Sequence, residues 1–199
     1  MALRPRVRLE AESRRSQLIE LGLTLLSVTP VEQVPVDEII RAAGISRSLL
    51  FHYFPSKRDF HVAVVRAAAA HLLEVTSGDP DLPPLERLKS GLHAFADYVS
   101  SNRDLYMALV RGSGGADPEL QGVVSRSRVT FADRLLSIVG DADVSPIMRS
   151  AARGWFGFVE ESTLDWAEQR DYDVGELVDF QVAVVLREMQ AFGISPPVR

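Results

Sequence analysis

Apolar residues recur along this chain at intervals of three and four, and the runs between breakers are long enough for helices. Leu18, Leu21, Gly22, Leu25 and Leu26 predict a first helix over about residues 10–28, closed by Pro30 and the Thr29–Val34 stretch. Pro35, with Asp37 and Glu38 behind it, opens a short second helix, because acidic side chains favour a helix N-terminus. Gly44 stops it and Ser46 caps a third helix that runs to about Tyr53. Ser56 and Asp59 have capping-box spacing and start a fourth helix that reaches about Val75.

The breaker cluster Thr76–Pro84 follows as the densest candidate boundary; the head is assigned to residues 1–60 and the body to residues 61–199, with the fourth helix bridging them. Further breaks at 111–118, 140–146 and 171–173 predict body helices near 84–101, 104–111, 118–139, 146–169 and 174–192. Val, Ile and Thr nowhere alternate with polar residues long enough for a half-buried strand, and neither Asn-Gly nor Asp-Gly occurs. The expected fold is all-α, with a three-helix N-terminal head and a helical C-terminal body.

The two short helices carry the chemistry. Ile39, Ile40, Ala43, Ile45, Leu50 and Phe54 form an apolar set that locks them at an angle, as in a helix-turn-helix. Arg47, Ser48, Leu49, His52 and Tyr53 then face outward. They offer a bidentate donor, a hydroxyl, an apolar contact for a thymine methyl and two hydrogen-bonding aromatics to a major groove roughly 12 Å wide. Ser46 at the helix start and Lys57 in the next helix suit phosphates, and Arg15 is a further candidate from the first helix. Arg4, Arg6 and Arg8 are expected in a disordered arm.

The segment Val36–Phe60, with Ala42-Ala43-Gly44-Ile45-Ser46, the aromatic cluster Phe51-His52-Tyr53-Phe54 and then Ser56-Lys57, resembles the DNA-binding segment of the TetR/AcrR family of transcriptional regulators. The resemblance covers about residues 10–65. It implies a homodimer whose heads bind a palindromic operator and whose bodies hold an effector pocket and the dimer face. Four positions depart from the family pattern. Pro35 replaces a common threonine, Ile40 a small residue, Leu49 a threonine and Phe51 a tyrosine, so three hydroxyls are lost.

In the body, Met148, Ala151, Ala152, Trp155, Phe158, Val159, Ser162 and Trp166 repeat along one helix, and Leu177, Val178, Val182, Val185, Leu186, Met189 and Phe192 do so along the next. Two such helices suit a four-helix bundle with a second copy, each also facing its own core. By analogy with the family, Phe95, Tyr98, Tyr106, Met107, Phe131, Trp155 and Phe158 are candidate pocket walls for a small apolar effector.

Composition changes the picture in two places. The 199 residues carry 22 Lys and Arg against 27 Asp and Glu, a net charge of -5 that argues against a nucleic-acid partner if the charge is spread evenly. It is not: residues 1–60 balance at +2 and the remainder at -7. The absence of cysteine excludes disulfides, thiolate metal sites and thiol nucleophiles. No apolar run is long enough for a membrane span, and the N-terminal stretch lacks the apolar region of a secretory signal, so a cytoplasmic protein is expected.

Catalytic chemistry finds no arrangement to use. Glu161, Asp165 and Glu168 share a helix face without a histidine in register, and His61, His71 and His93 stand apart from any nucleophile pattern. No metal, cofactor or enzymatic activity is expected. The reading is a ligand-responsive, homodimeric DNA-binding repressor. The alternative is a small-molecule sensor whose head no longer binds DNA, a reading favoured by Pro35 and Phe51.

Overall fold

In a computed structural model, which describes residues 4–26, 36–107, 110, 117–138, 144–191 and 193, the described secondary structure is helical throughout. The helices are α1 (Arg4–Leu26), α2 (Val36–Ala43), α3 (Arg47–Tyr53), α4 (Lys57–Val75), α5 (Pro84–Ser101), α6 (Arg103–Met107), α7 (Pro118–Ile138), α8 (Pro146–Gln169) and α9 (Val174–Ala191). Among the described residues no helix is long and apolar enough to cross a membrane. Pro35 and Phe192, with the segments around Pro30 and Gly112, lie outside the described residues.

The expected ends follow from local chemistry. Ser145 accepts a hydrogen bond from the Met148 N–H at 3.4 Å and precedes Pro146, where a missing N–H costs the helix nothing. Asp117 does the same for α7, accepting from the Glu119 N–H at 2.9 Å. One expectation fails: α1 begins at Arg4, so residues 4–9 are helix rather than a disordered arm. Pro5 falls in the first turn, where proline is tolerated, and no breaker separates it from the helix already predicted.

The chain divides into two compact units, and α4 and α7 each contribute to both. The first comprises Met1–Ala70 with Asp104–Val123. Its core joins Leu18 of α1, Ile39 of α2, Leu50 of α3, Phe54, and Phe60, Val64 and Val65 of α4, with Leu105, Leu120 and Val123 completing it. Glycine at position 22 is what lets α1 lie against α4: a Cβ there would sit 2.6 Å from Val64 Cγ2 and 2.8 Å from the Phe60 ring. Arg58 of α4 donates to both Asp117 carboxylate oxygens, at 2.6 and 2.8 Å, and pairs with Glu119 at 3.0 Å. That hydrogen-bonded pairing holds the Asp117 carboxyl at a pKa of about 2.

The second unit comprises His71–Arg103 with Val124–Arg199, and in it α5, α8 and α9 pack on one another. Buried Gln181 of α9 ties itself to α8 by donating to Ser162 Oγ at 3.0 Å and Thr163 Oγ1 at 3.1 Å. Its carbonyl accepts from the Trp155 indole N–H at 3.0 Å. Glu160 is buried too, and its charge is met by Arg128 Nε at 2.7 Å. Arg170 ends α8 in the left-handed region (φ 55°), with its guanidinium 4.5 Å from the Trp166 ring centre and donating to Ser100.

Gly22→Ala tests the contact between α1 and α4. Alanine raises helix propensity by about 1 kcal/mol, but overpacking against two rigid side chains costs about 1–3 kcal/mol. The expected result is a net loss of stability in urea denaturation.

Candidate nucleic-acid interface and ligand cavity

Helix α3 has seven residues, too few to be stable alone in water, so its presentation is set by what it is fastened to. Gly44 takes the left-handed conformation (φ 62°) that ends α2, and the Gly44 and Ile45 N–H groups close back on the Arg41 and Ile40 carbonyls at 3.3 and 3.2 Å. Ser46 then caps α3, its Oγ accepting from the Leu49 N–H at 3.2 Å. Leu50 and Phe54, each 1% exposed, anchor the inner face, and Phe54 meets Phe60 edge-on at 5.0 Å.

With that face fixed, Arg47, Ser48, Leu49 and His52 are exposed on one short helix, Leu49 at 37%. Tyr53 is half-buried against the core, its ring edge-on to His52 at 5.5 Å. Phe51 also packs on the core, so the position that lacks the family's hydroxyl serves packing here. The Ser46 and Ser48 hydroxyls are 2.9 Å apart, and Arg47 has a loose, exposed ion pair with Asp37 of α2 at 3.5 Å. Lys57 opens α4 and is half-buried. Arg15 is exposed on α1 with its guanidinium 5.0 Å from the Phe54 ring centre, which joins α1 to the residue that follows α3.

The sequence reading counted Arg58 in the basic head, but its charge is taken by Asp117 and Glu119, and Arg66 pairs with Glu119 at 2.6 Å. Acids 53 to 61 positions further along the chain carried no local signal for this.

In the second unit lies a cavity of about 380 Å³. Of the seven expected walls, Phe95, Phe131 and Trp155 line it, joined by Phe156, which stacks on Phe131 at 4.3 Å. The other four are not in the lining. Tyr98 instead lies beside His71, with ring centres 6.0 Å apart, and burial pushes its phenol pKa up. Phe158 meets Phe180 edge-on at 5.4 Å. Tyr106 and Met107 belong to the other unit, where Tyr106 is buried. Three-residue spacing of aromatics does not distinguish a helix's cavity face from its other faces.

The sequence reading also missed Arg87 and Arg134, both in the lining. Arg134 was detectable as a cation three residues after Phe131 on one helix face, whereas Arg87, with Ser90 and Gly91 three and four residues on, carried no such signal. On α8, Asp165 accepts from Gln169 at 2.6 Å and Glu168 pairs with Arg103 at 2.5 Å.

The comparisons with known proteins agree with this layout. The family model described as "Bacterial regulatory proteins, tetR family" matches residues 18–64, and "Tetracyclin repressor-like, C-terminal domain" matches residues 84–187. The chain is 37% identical over 89 residues to "Transcriptional regulator AcuR" of Cereibacter sphaeroides, covering 43% of this chain and 41% of that protein. It is 22% identical over 137 residues to "HTH-type transcriptional activator FasR" of Mycolicibacterium smegmatis, covering 66% and 61%. It thus spans about two-fifths to three-fifths of the length of these curated relatives. A tetR-family transcriptional regulator from Streptomyces coelicolor has a solved structure that superposes with a TM-score of 0.78 at 28% identity, covering 92% of this chain and 86% of that one.

His61, next to Phe60 on α4, is 8% exposed, and its Nε2 has no hydrogen-bond partner among the described residues. Burial, aided by the charge of Lys57, lowers its pKa to about 4. Above about pH 6.5 the ring is neutral in both folded and unfolded chains. Below it the unfolded chain takes up a proton that the folded chain refuses. Stability should therefore fall by roughly 1.4 kcal/mol per pH unit between about 6.5 and 4 from this residue. Urea melts of the wild type and His61→Phe at pH 7 and pH 5 check this: the substitution should shrink the difference between the two pH values.

Proposed function

The chain belongs to the TetR family of bacterial regulatory proteins, and on that premise we propose that it is a homodimeric repressor that leaves its operator when a small effector binds. The family is one of DNA-binding transcriptional regulators, not enzymes. The observation that carries the reading is the exposed row Arg47, Ser48, Leu49 and His52, set opposite fully buried Leu50. In this reading the row meets base edges in the major groove, with Tyr53 at its border. Ser46, Lys57 and Arg15 contact phosphates and fix the register, and the protein works in the cytoplasm where the DNA is.

The dimer face is α8 with α9. Phe180 is 55% exposed, a large aromatic left in water beside Phe158. Gly154 and Gly157 are exposed within α8, and a Cβ at either would meet nothing within 4 Å. Glycine inside a helix costs roughly 0.5–1 kcal/mol relative to alanine, which close approach by a second copy's helix would offset. A two-fold protein then matches a two-fold operator with half-sites about one helical turn apart.

The effector site is the cavity of the second unit. Arg134, in its lining, donates to the Leu73 carbonyl at 2.6 Å and to Thr76 Oγ1 at 3.2 Å, at the C-terminal end of α4. A guest that meets Arg134 therefore acts on the helix whose earlier residues belong to the DNA-binding unit. By linkage, operator DNA weakens effector binding by the factor with which effector weakens operator binding.

Two measurements test this reading. Binding of the full chain to DNA from upstream of its own gene should weaken steeply with salt, and Arg47→Ala should cost about 1–3 kcal/mol and relax sequence preference. A head that binds no DNA at any salt concentration would favour the sensor alternative instead. Phe180→Lys should leave the circular dichroism of the chain intact while converting a dimer to a monomer in analytical ultracentrifugation, with operator affinity lost alongside. A wild-type monomer, or a variant that stays dimeric, would remove α9 from the interface.

A further inference from the structure

The polar groups around the cavity have one sign. Among the described residues its lining contains Arg87 and Arg134 and no acid. Among the described residues no carboxylate pairs with either guanidinium. Arg134 is half-buried beside the Phe131 ring, 5.4 Å from its centre, and its two hydrogen bonds go to neutral acceptors. Burial without a counter-charge lowers its pKa. Among the described residues two cations thus line one cavity without a carboxylate paired to either, and burial disfavours the charge of Arg134.

Apart from exposed Ser77 at the mouth, whose hydroxyl reaches the Gly78 carbonyl only at 3.5 Å, the hydroxyls and the indole of the lining are already engaged. Thr76 donates to the Leu72 carbonyl at 2.6 Å and accepts from Arg134. Ser137 donates to the Arg134 carbonyl at 2.7 Å, and the Trp155 N–H is held by Gln181. What the cavity offers a guest is therefore guanidinium N–H, which only donates, and apolar surface. Exposed Ser77, Pro80 and Ser137 mark the mouth, while buried Phe95, Trp155 and Phe156 form the inner wall. Gly78 (φ 71°) lets the loop after α4 lie tight on α5, because a Cβ there would be 2.8 Å from the Arg87 carbonyl oxygen.

We propose that the cavity binds an organic carboxylate, with the carboxylate on Arg134 and Arg87 and an aromatic or acyl body against the Phe95, Phe131 and Phe156 wall. The proposal rests on the effector reading of this cavity and narrows the apolar effector expected from sequence to an amphipathic anion. A carboxylate accepts guanidinium N–H bonds in the plane of both groups, and it supplies the counter-charge that the lining lacks.

The test compares matched pairs that differ only in charge: phenylacetate and phenylacetamide, 3-phenylpropionate and its amide, 2-naphthoate and its amide, octanoate and octanamide. Each is titrated calorimetrically into the full chain at pH 7 and constant ionic strength. The expected result is an acid that binds about tenfold or more tighter than its amide. Arg87→Gln and Arg134→Gln should each remove most of that preference while leaving the amide's affinity in place, and Arg134→Lys should restore part of it. Arg134 also ties α7 to the end of α4, so if its variants unfold, Arg87→Gln decides alone. Amides that bind as tightly as acids, or an acid preference that survives Arg87→Gln and Arg134→Gln, would overturn the carboxylate assignment and leave the cavity as a site for neutral guests. A panel in which neither acids nor amides bind would overturn both the assignment and the effector reading beneath it.

Discussion

A helix of seven residues does not hold itself together in water, and the side chains proposed to meet base edges stand on such a helix. Its order is borrowed. Leu50 and Phe54 are drawn into a core built by α1, α2 and α4, Ser46 closes one end, and left-handed Gly44 turns the chain into it. Because an α-helix places neighbours 100° apart, fixing Leu50 inward turns Ser48 and His52 to the far side, and Leu49 and the first-turn Arg47 are exposed with them. Gly22 extends the same constraint to the scaffold, since only glycine lets α1 approach Phe60 and Val64 so closely. Arg15, stacked over Phe54, adds the link between α1 and the end of α3.

Much of this was legible in the sequence because it is local. The helices from 84, 118, 146 and 174 end within a residue or so of where prolines, glycines and capping side chains place their ends, and the Ser46 and Ser145 caps are read directly. The helix-turn-helix was legible for the same reason, its apolar set and glycine turn lying within twenty residues. Illegible were the contacts that depend on distant chain meeting. Arg58 reads as a basic group of the head until Asp117 arrives from 59 residues away. Four of the seven aromatic and methionine candidates fall away from the cavity, since periodicity identifies a buried face without saying what it faces. Phe180 escaped notice because it lies off the stripe of Leu177, Val178, Val182 and Val185 that buries α9.

The charge balance acquires a different meaning in three dimensions. The head's surplus of +2 is smaller at the surface, because Arg58 is neutralised where it stands. In the proposed reading, affinity for DNA rests on a few placed cations and not on a broad basic field. Within the acidic body the cavity is an exception: its lining is cationic and aromatic, without an acid among the described residues. Arg134, in its lining, also hydrogen-bonds the end of α4, so in the proposed reading recognition of a guest and the state of that helix meet at one guanidinium.

The central claim is that the outward face of α3, presented twice by a dimer, recognises operator DNA. Hydroxyl-radical footprinting of the full chain on the DNA upstream of its gene tests this most directly. The expected result is two symmetric protected half-sites whose centres are separated by about one helical turn, roughly 10–10.5 base pairs, or a multiple of it. A footprint without two-fold symmetry, or no protection at a protein concentration that saturates the dimer, would contradict it.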